Sequence, residues 1–214
     1  MQISLRNNIS SLPTHWNLQT PEEEIVLWVD SIKTDNLKRL DLLPLLYRNN
    51  PIYINRSTNQ LNRLRGYVMA AFEHLGLPKS AFIFICEELD NGHSPYLIAA
   101  SAKAMRGSEV KSQDLQAYLI KALQNLGHKD QALSFESYRP KWPLKINTTA
   151  TLEILKTLGW LGAYAKDSVA FLKQLKAGLI RPIDQNTKEV IDQTILTINN
   201  DSRKVKNSCC QFVY

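Results

Sequence analysis

The chain has 214 residues, 44% of them hydrophobic, and a formal net charge of +6. This composition is sufficient for a buried core and argues against intrinsic disorder. The longest apolar run, at residues 81–86, is far too short for a membrane span, which takes about 20 apolar residues. Residues 1–10 lack the apolar stretch of a secretory signal. We therefore expect a cytoplasmic protein without a membrane span.

The positive charge is distributed unevenly along the chain. Residues 1–110 carry equal numbers of basic and acidic side chains, so the whole excess lies in residues 111–214. Such asymmetry is typical of a surface for an acidic partner or a nucleic acid, although scattered lysines more often serve solubility.

Apolar residues recur at helical spacing along the chain, and no segment shows the alternation of a strand. The first stripe predicts a helix near residues 21–33. The later stripes predict four pairs of helices, at 37–48 with 58–75, 79–90 with 94–106, 112–126 with 148–161, and 166–177 with 187–199. A stack of such pairs buries each stripe against its neighbours, so the sequence predicts an all-α fold.

The residues at the ends of these segments agree with the periodicity. Ser57 with Gln60 forms a capping box, and Pro95 occupies the first position of a helix after Ser94. Six glycines follow apolar stripes, where a left-handed residue commonly ends a helix: Gly76, Gly92, Gly107, Gly127, Gly162 and Gly178.

The segment from Ser94 to Gly107, SPYLIAASAKAMRG, resembles the second helix of HEAT-type α-solenoids of the short bacterial kind. The resemblance covers about residues 37–199. It implies an α-α superhelix of roughly four helix pairs with an N-terminal capping helix, spanning residues 1–200. A basic, cysteine-containing tail would follow at residues 201–214.

A second resemblance concerns the stretch from Leu64 to Gly107. It is similar to the helical region that precedes a thioredoxin-like domain in some bacterial proteins of the SCO/SenC class. That resemblance implies an accessory or truncated N-terminal region of a redox or copper-handling protein. The Cys-x-x-x-Cys motif of the class is absent from this chain, whose last two cysteines are the adjacent Cys209 and Cys210.

No constellation of residues in the sequence has the pattern of an active site. The four histidines are far apart, and neither a phosphate-binding glycine loop nor a Gly-x-Ser-x-Gly motif occurs. Cys86 lies on an apolar stripe, where a cysteine behaves as a small hydrophobic residue. We therefore predict no catalytic, cofactor-binding or metal-binding residue, and no enzymatic activity.

One long irregular segment, residues 128–147, interrupts the third helix pair. Long loops on repeat scaffolds often carry function, and this one mixes basic and aromatic residues suited to docking an acidic peptide or stacking on bases. The alternative is structural, with Trp142 folded back over an exposed edge and two prolines stiffening the loop. The candidate partner-binding residues are Tyr138, Arg139, Lys141, Trp142 and Lys145 of the loop, with Lys156 and Trp160 of the next helix.

Three functional hypotheses follow from the sequence. The first is a noncatalytic protein-binding or scaffold module that uses the concave face lined by the second helix of each pair. The second is a nucleic-acid binder resembling the HEAT-like DNA glycosylases, disfavoured because the basic residues are spread over different helices and no catalytic acid can be singled out. The third is the accessory to a thioredoxin-like domain that the second resemblance implies.

Overall fold

The computed structural model describes residues 12–210, except the side chains of Asn36 and of residues 202–210. This part of the chain is helical and contains no β-strand, only a single antiparallel bridge between Leu133 and Thr148. The predicted all-α fold is therefore confirmed. The α-helices are α1 (Glu22–Ile32), α2 (Thr58–Leu75), α3 (Phe82–Asn91), α4 (Pro95–Met105), α5 (Asp114–Leu126), α6 (Ala150–Leu161), α7 (Ser168–Lys176) and α8 (Gln185–Cys210). None of these helices has a stretch long and apolar enough to cross a lipid bilayer.

The helices pack in two rows. In one row α2 contacts α4, α4 contacts α6, and α6 contacts α8, while in the other row α3 contacts α5 and α5 contacts α7. Each helix of the second row also packs against the helix that follows it in the chain. The core therefore runs between the rows, as a continuous cluster of buried aliphatic and aromatic side chains from Ile25 to Ile198.

Small residues allow the two most extensively packed helices, α2 and α4, to approach closely. Ala70 and Ala71 of α2 and Ala99 and Ala100 of α4 are all buried. The ring of Tyr96 lies where a side chain at Gly66 would project, since a Cβ there would be 2.7 Å from the ring. The short side chains at these positions therefore account for the close contact of the two helices.

The segment predicted as an α-helix at residues 37–48 is instead a 3-10 helix, Asn36–Leu46. Pro44 lies inside it, and proline lacks the N–H that an α-helical hydrogen bond requires. The apolar side chains around it, from Leu42 to Leu46, are consecutive and buried, while Leu37 is 93% exposed. The prediction of an α-helix at residues 37–48, the first helix of the first pair, was therefore wrong.

Helix α8 is longer than predicted. We expected it to end near residue 199, but it continues to Cys210, and no glycine or proline follows Pro182 in the sequence to stop it. The predicted tail at residues 201–214 is thus helical in its backbone up to Cys210. The side chains of Cys209 and Cys210, and residues 211–214, lie outside the described part of the chain.

Four of the six helix-ending glycines have the predicted positive φ, and two do not. Gly92 has a φ of −71°. Gly107 is outside the left-handed region too, and its importance is steric, because a Cβ at this position would lie 1.9 Å from the carbonyl oxygen of Phe72. Gly107 therefore permits the backbone after α4 to touch the end of α2. The Gly107 carbonyl accepts a 2.8 Å hydrogen bond from the N–H of Leu77, two residues after that helix.

Candidate functional site

The loop between α5 and α6, residues 127–149, lies across the row of helices that contains α6, α4 and α2. At its end, the Thr148 hydroxyl donates a 2.7 Å hydrogen bond to the buried carboxylate of Glu153 on α6. Further back in the loop, the Phe135 ring packs on Tyr96 of α4 with ring centroids 4.9 Å apart. The loop is therefore held against successive helices and does not project freely into solvent.

Tyr138 fixes the loop to α2. Its ring meets Tyr67 edge to face, with centroids 5.6 Å apart, and its carbonyl accepts a 2.6 Å hydrogen bond from Arg63 Nε. The Arg63 guanidinium lies 5.5 Å from the centroid of the Tyr138 ring. Because Tyr138 is only 6% exposed, these contacts make it part of the core and leave little of it for a partner.

Beyond α2 the loop reaches α1, where Glu22 accepts hydrogen bonds from the Tyr138 hydroxyl and from Arg139, both at 3.0 Å. Arg56 approaches the other carboxylate oxygen at 3.7 Å. Burial alone would raise the pKa of Glu22, but the hydrogen bonds from Arg139 and Tyr138 outweigh it and keep the pKa below its ordinary value. Glu22 is therefore a buried anion that ties the loop to the start of α1.

A row of alternating charges crosses α2, α4 and α6 beside the loop. Glu73 of α2 pairs with Lys103 of α4 and with Arg106, the residue that follows α4. Arg106 also pairs with Glu153 of α6 at 2.6 Å. Lys156 completes the row, 2.8 Å from Glu153. Burial tends to raise the pKa of Glu153, yet Arg106, Lys156 and Thr148 together lower it to about 2. The row is thus nearly balanced in charge.

Two cavities flank the loop. On one side is a cavity of about 390 Å³, here called the charged cavity, whose lining includes Lys33, Lys103, Glu136, Glu153 and Lys156. On the other side, at the N-terminal ends of α2 and α4, is a groove of about 550 Å³, here called the amide groove. The amide groove is lined by Asn59, Gln60, Asn62, Arg63, Ser94, Tyr96, Gln131, Ala132, Leu133, Ser134, Pro140, Trp142 and Leu144.

The structure separates the five candidate residues of the loop into two groups. Tyr138 and Arg139 anchor the loop, and Arg139 also pairs with Glu23 at 3.0 Å. Lys141, Trp142 and Lys145 are exposed, and Trp142 lines the amide groove with 81% of its surface accessible. The alternative in which Trp142 folds back over the edge of the protein is therefore wrong.

The two candidates on α6 are not brought to the same place. Lys156 lines the charged cavity, where Glu153 already neutralises it. Trp160 lines neither cavity and lies at the end of α6, half-buried, with the ammonium of Lys111 4.8 Å from its ring. Lys141 and Trp142 of the loop therefore do not form one surface with Lys156 and Trp160 of α6.

Sequence reasoning missed the residues on the helix side of the amide groove. Asn62 and Arg63 lie one turn after Asn59 on α2, and polar residues with this spacing look like an ordinary solvated face. Tyr96, in the first turn of α4, was not singled out either. The available signal was that α2 begins with a polar turn although most of the helix is buried.

The described residues offer no metal site or activated thiol. Among residues 12–201, no group of three histidine, cysteine, aspartate or glutamate side chains is close enough to hold an ion. Cys86 is half-buried on α3, and burial, with a smaller effect of Asp90, raises the pKa of its thiol to about 11. A thiol with this pKa is almost entirely protonated at neutral pH and is a poor nucleophile.

Comparison of the chain with protein-family models, with curated proteins and with solved structures gives no match. What the structure defines is an all-α protein with two rows of helices and one long loop held across the α2–α4–α6 row. The resemblance to HEAT-type repeats stays a prediction from the sequence.

Proposed function

We propose that this chain is a noncatalytic protein-binding module, built as a HEAT-like superhelix, whose binding surface is the α5–α6 loop and the amide groove beside it. The arrangement of α2, α4, α6 and α8 in one row and α3, α5 and α7 in another supports the superhelical part of the proposal. The sequence alone assigned the binding surface to the second helix of every pair. The proposal restricts it to the α5–α6 loop and the N-terminal ends of α2 and α4.

The observation that carries this proposal is the exposure of Trp142 on an anchored loop. An indole that is 81% exposed keeps a large apolar surface in water, and tryptophans in such positions are frequent anchors of protein interfaces. Ile146, at 65% exposed, adds apolar surface on the other side of the loop, where it lines the charged cavity. Because Tyr138 and Arg139 hold the loop by hydrogen bonds to the buried Glu22, a partner that docks on Trp142 does not have to order a free segment.

Nucleic-acid binding is the second candidate, favoured by the exposed Lys141 and Lys145 on either side of Trp142. The charges of the neighbouring helices argue against it. Lys103, Arg106 and Lys156 are each paired with Glu73 or Glu153, so the row beside the loop does not present the continuous positive strip that phosphates require.

The proposal is tested by capture of partners on the immobilised full-length protein from nuclease-treated lysate of its source. We expect proteins captured by the wild type to be lost with Trp142→Ala. They should be retained with Leu179→Ala, which removes an equally exposed apolar side chain far along the chain from the loop. Capture that Trp142→Ala leaves unchanged would contradict the proposal, and so would capture that occurs only from a parallel lysate without nuclease treatment.

A further inference from the structure

The amide groove differs from the rest of this face in its charge. None of the residues that line it is an aspartate or a glutamate, although Arg63 is among them. Within the described part of the chain, no carboxylate lies within ion-pair distance of Arg63, whereas Arg139, Lys103, Arg106 and Lys156 are all paired. The groove therefore contains a guanidinium that has no counter-ion among the described residues.

Arg63 is held in place by Tyr138 and Tyr96. Its Nε is engaged by the Tyr138 carbonyl at 2.6 Å, and its guanidinium carbon is 5.5 Å from the ring centroids of both Tyr96 and Tyr138. With Nε engaged, the terminal nitrogens of the guanidinium remain as donors, and they suit a carboxylate in geometry and charge. Little side-chain entropy is lost on binding because the side chain is already ordered.

The remaining lining can hydrogen bond to an extended backbone. The carboxamides of Asn59, Asn62 and Gln131 each offer donors and an acceptor, the pair that every residue of a bound peptide presents. Ser94 does not cap α4 with its side chain, and the buried hydroxyl of Tyr96 has no hydrogen-bond partner among the described residues. A buried polar group without a partner is costly, which favours a ligand that supplies one.

The outer wall of the groove is apolar. Trp142, Pro140 and Leu144 line the side formed by the loop, opposite the carboxamides of α2. A ligand that satisfies both sides carries an anionic group and an apolar side chain close together. The groove has only one cation in its lining, which suits a single carboxylate better than the repeated phosphates of a nucleic acid.

We propose that the amide groove binds an extended peptide segment of a partner protein, in which an aspartate or glutamate pairs with Arg63 and a neighbouring apolar residue packs on Trp142. This inference rests on the proposed protein-binding function and adds the chemistry of the partner segment. The carboxamides hold the peptide backbone, so Arg63 and Trp142 determine which sequences bind.

The test uses an array of random twelve-residue peptides with acetylated and amidated ends, probed with the full-length protein. We expect enrichment of an acidic residue next to an apolar one among peptides that bind the wild type but not Trp142→Ala. For an enriched peptide, changing the acidic residue to its amide should weaken binding at least about tenfold, as loss of a charged hydrogen bond does.

Variants of the protein test the same contact from the other side. Arg63→Gln should weaken binding to a similar degree and remove the difference between the acidic peptide and its amide twin. Lys121→Gln, which removes one exposed positive charge from α5, should leave binding unchanged. If Arg63→Gln fails to fold, the comparison of the two peptides on the wild type still decides the outcome.

The failure of this inference is distinguishable from failure of the proposed function. Peptides that bind through Trp142 without preference for an acidic residue would overturn the inference and leave the proposed function standing. If no peptide binds the wild type better than Trp142→Ala, the inference is likewise overturned. Trp142-dependent capture of proteins from lysate then decides the proposed function separately.

Discussion

The Tyr138 hydroxyl donates a hydrogen bond to Glu22 at 3.0 Å, although 116 residues separate the two in the sequence. Glu22 is only 6% exposed, and one of its carboxylate oxygens is buried without a hydrogen bond among the described residues. A buried carboxylate with few donors depends strongly on each of them. The contact therefore links the position of the α5–α6 loop to the stability of the N-terminal helix.

Replacing Tyr138 by phenylalanine tests this link because it removes the hydroxyl and keeps the ring on Tyr67. We expect a loss of about 1–2 kcal/mol of unfolding free energy, which corresponds to a melting temperature lower by roughly 3–6 °C for a protein of this size. Differential scanning calorimetry measures the change. Tyr164→Phe is the control, since Tyr164 is half exposed and forms no hydrogen bond with a described residue. Equal melting temperatures for the two variants would contradict the link.

The helices could be predicted from the sequence because their signals are local. The capping box of Ser57 and Gln60 and the proline after Ser94 are both present at the observed starts of α2 and α4. The segment at residues 37–48 was predicted as an α-helix because its leucines fit an α-helical stripe. Pro44 prevents the regular α-helical hydrogen bonds there, so the segment is a 3-10 helix. The predicted end of α8 fell too early because the polar residues after Ile198 resemble an unstructured tail.

The candidate site could be predicted only in part, for the opposite reason. The loop was identified from its composition, and Trp142 lies in the amide groove as a residue of that loop. The other wall of the groove comes from the first turns of α2 and α4, which meet residues 131–144 only after folding. Nothing in the local pattern around Arg63 indicates that it has no carboxylate beside it among the described residues, whereas Lys103, Arg106 and Lys156 are paired.

Acid should weaken the row of charges between α4 and α6. The pKa of Glu153 in the folded protein is about 2, below its ordinary value of 4.5, because Arg106, Lys156 and Thr148 outweigh burial. A group whose pKa is lower in the folded state stabilises it fully above the unfolded value and loses this effect as the pH falls toward the folded value. The contribution, on the order of 3 kcal/mol, should therefore disappear between about pH 5 and pH 2.

Urea denaturation of the wild type and Glu153→Gln at several pH values measures this contribution. We expect the difference in unfolding free energy between the two proteins to be constant above about pH 5 and to shrink steadily below it. Glu109→Gln, a change at an exposed carboxylate outside the row, is the control and should leave the unfolding free energy at neutral pH nearly unchanged. A gap that stays constant down to pH 3 would show that Glu153 is not held as an anion by the row.

Two glycines should respond to alanine in opposite directions. A Cβ at Gly107 would lie 1.9 Å from the Phe72 carbonyl oxygen, a backbone atom, whereas at Gly159, inside α6, it would meet nothing within 4 Å. We expect Gly107→Ala to destabilise by about 1–3 kcal/mol through overpacking. Gly159→Ala should stabilise by about 0.5–1 kcal/mol, since alanine favours a helix interior. Thermal melts of the two variants side by side check both signs, and destabilisation by Gly159→Ala would contradict the packing described for α6.

The charge pairing also predicts how the protein behaves toward nucleic acid. Because Lys103, Arg106 and Lys156 already have carboxylate partners, few phosphates can be neutralised by the α2–α4–α6 row. We expect a dissociation constant no tighter than about 1 μM for a short duplex at near-physiological salt. The slope of log affinity against log salt should be no steeper than about −3.

Fluorescence anisotropy with a duplex and a single strand across a range of salt concentrations measures the dissociation constant and its salt dependence. Nanomolar binding with a steep slope, abolished by changing Lys141 and Trp142 to alanine, would instead make the loop a nucleic-acid recognition element and overturn the protein-binding proposal.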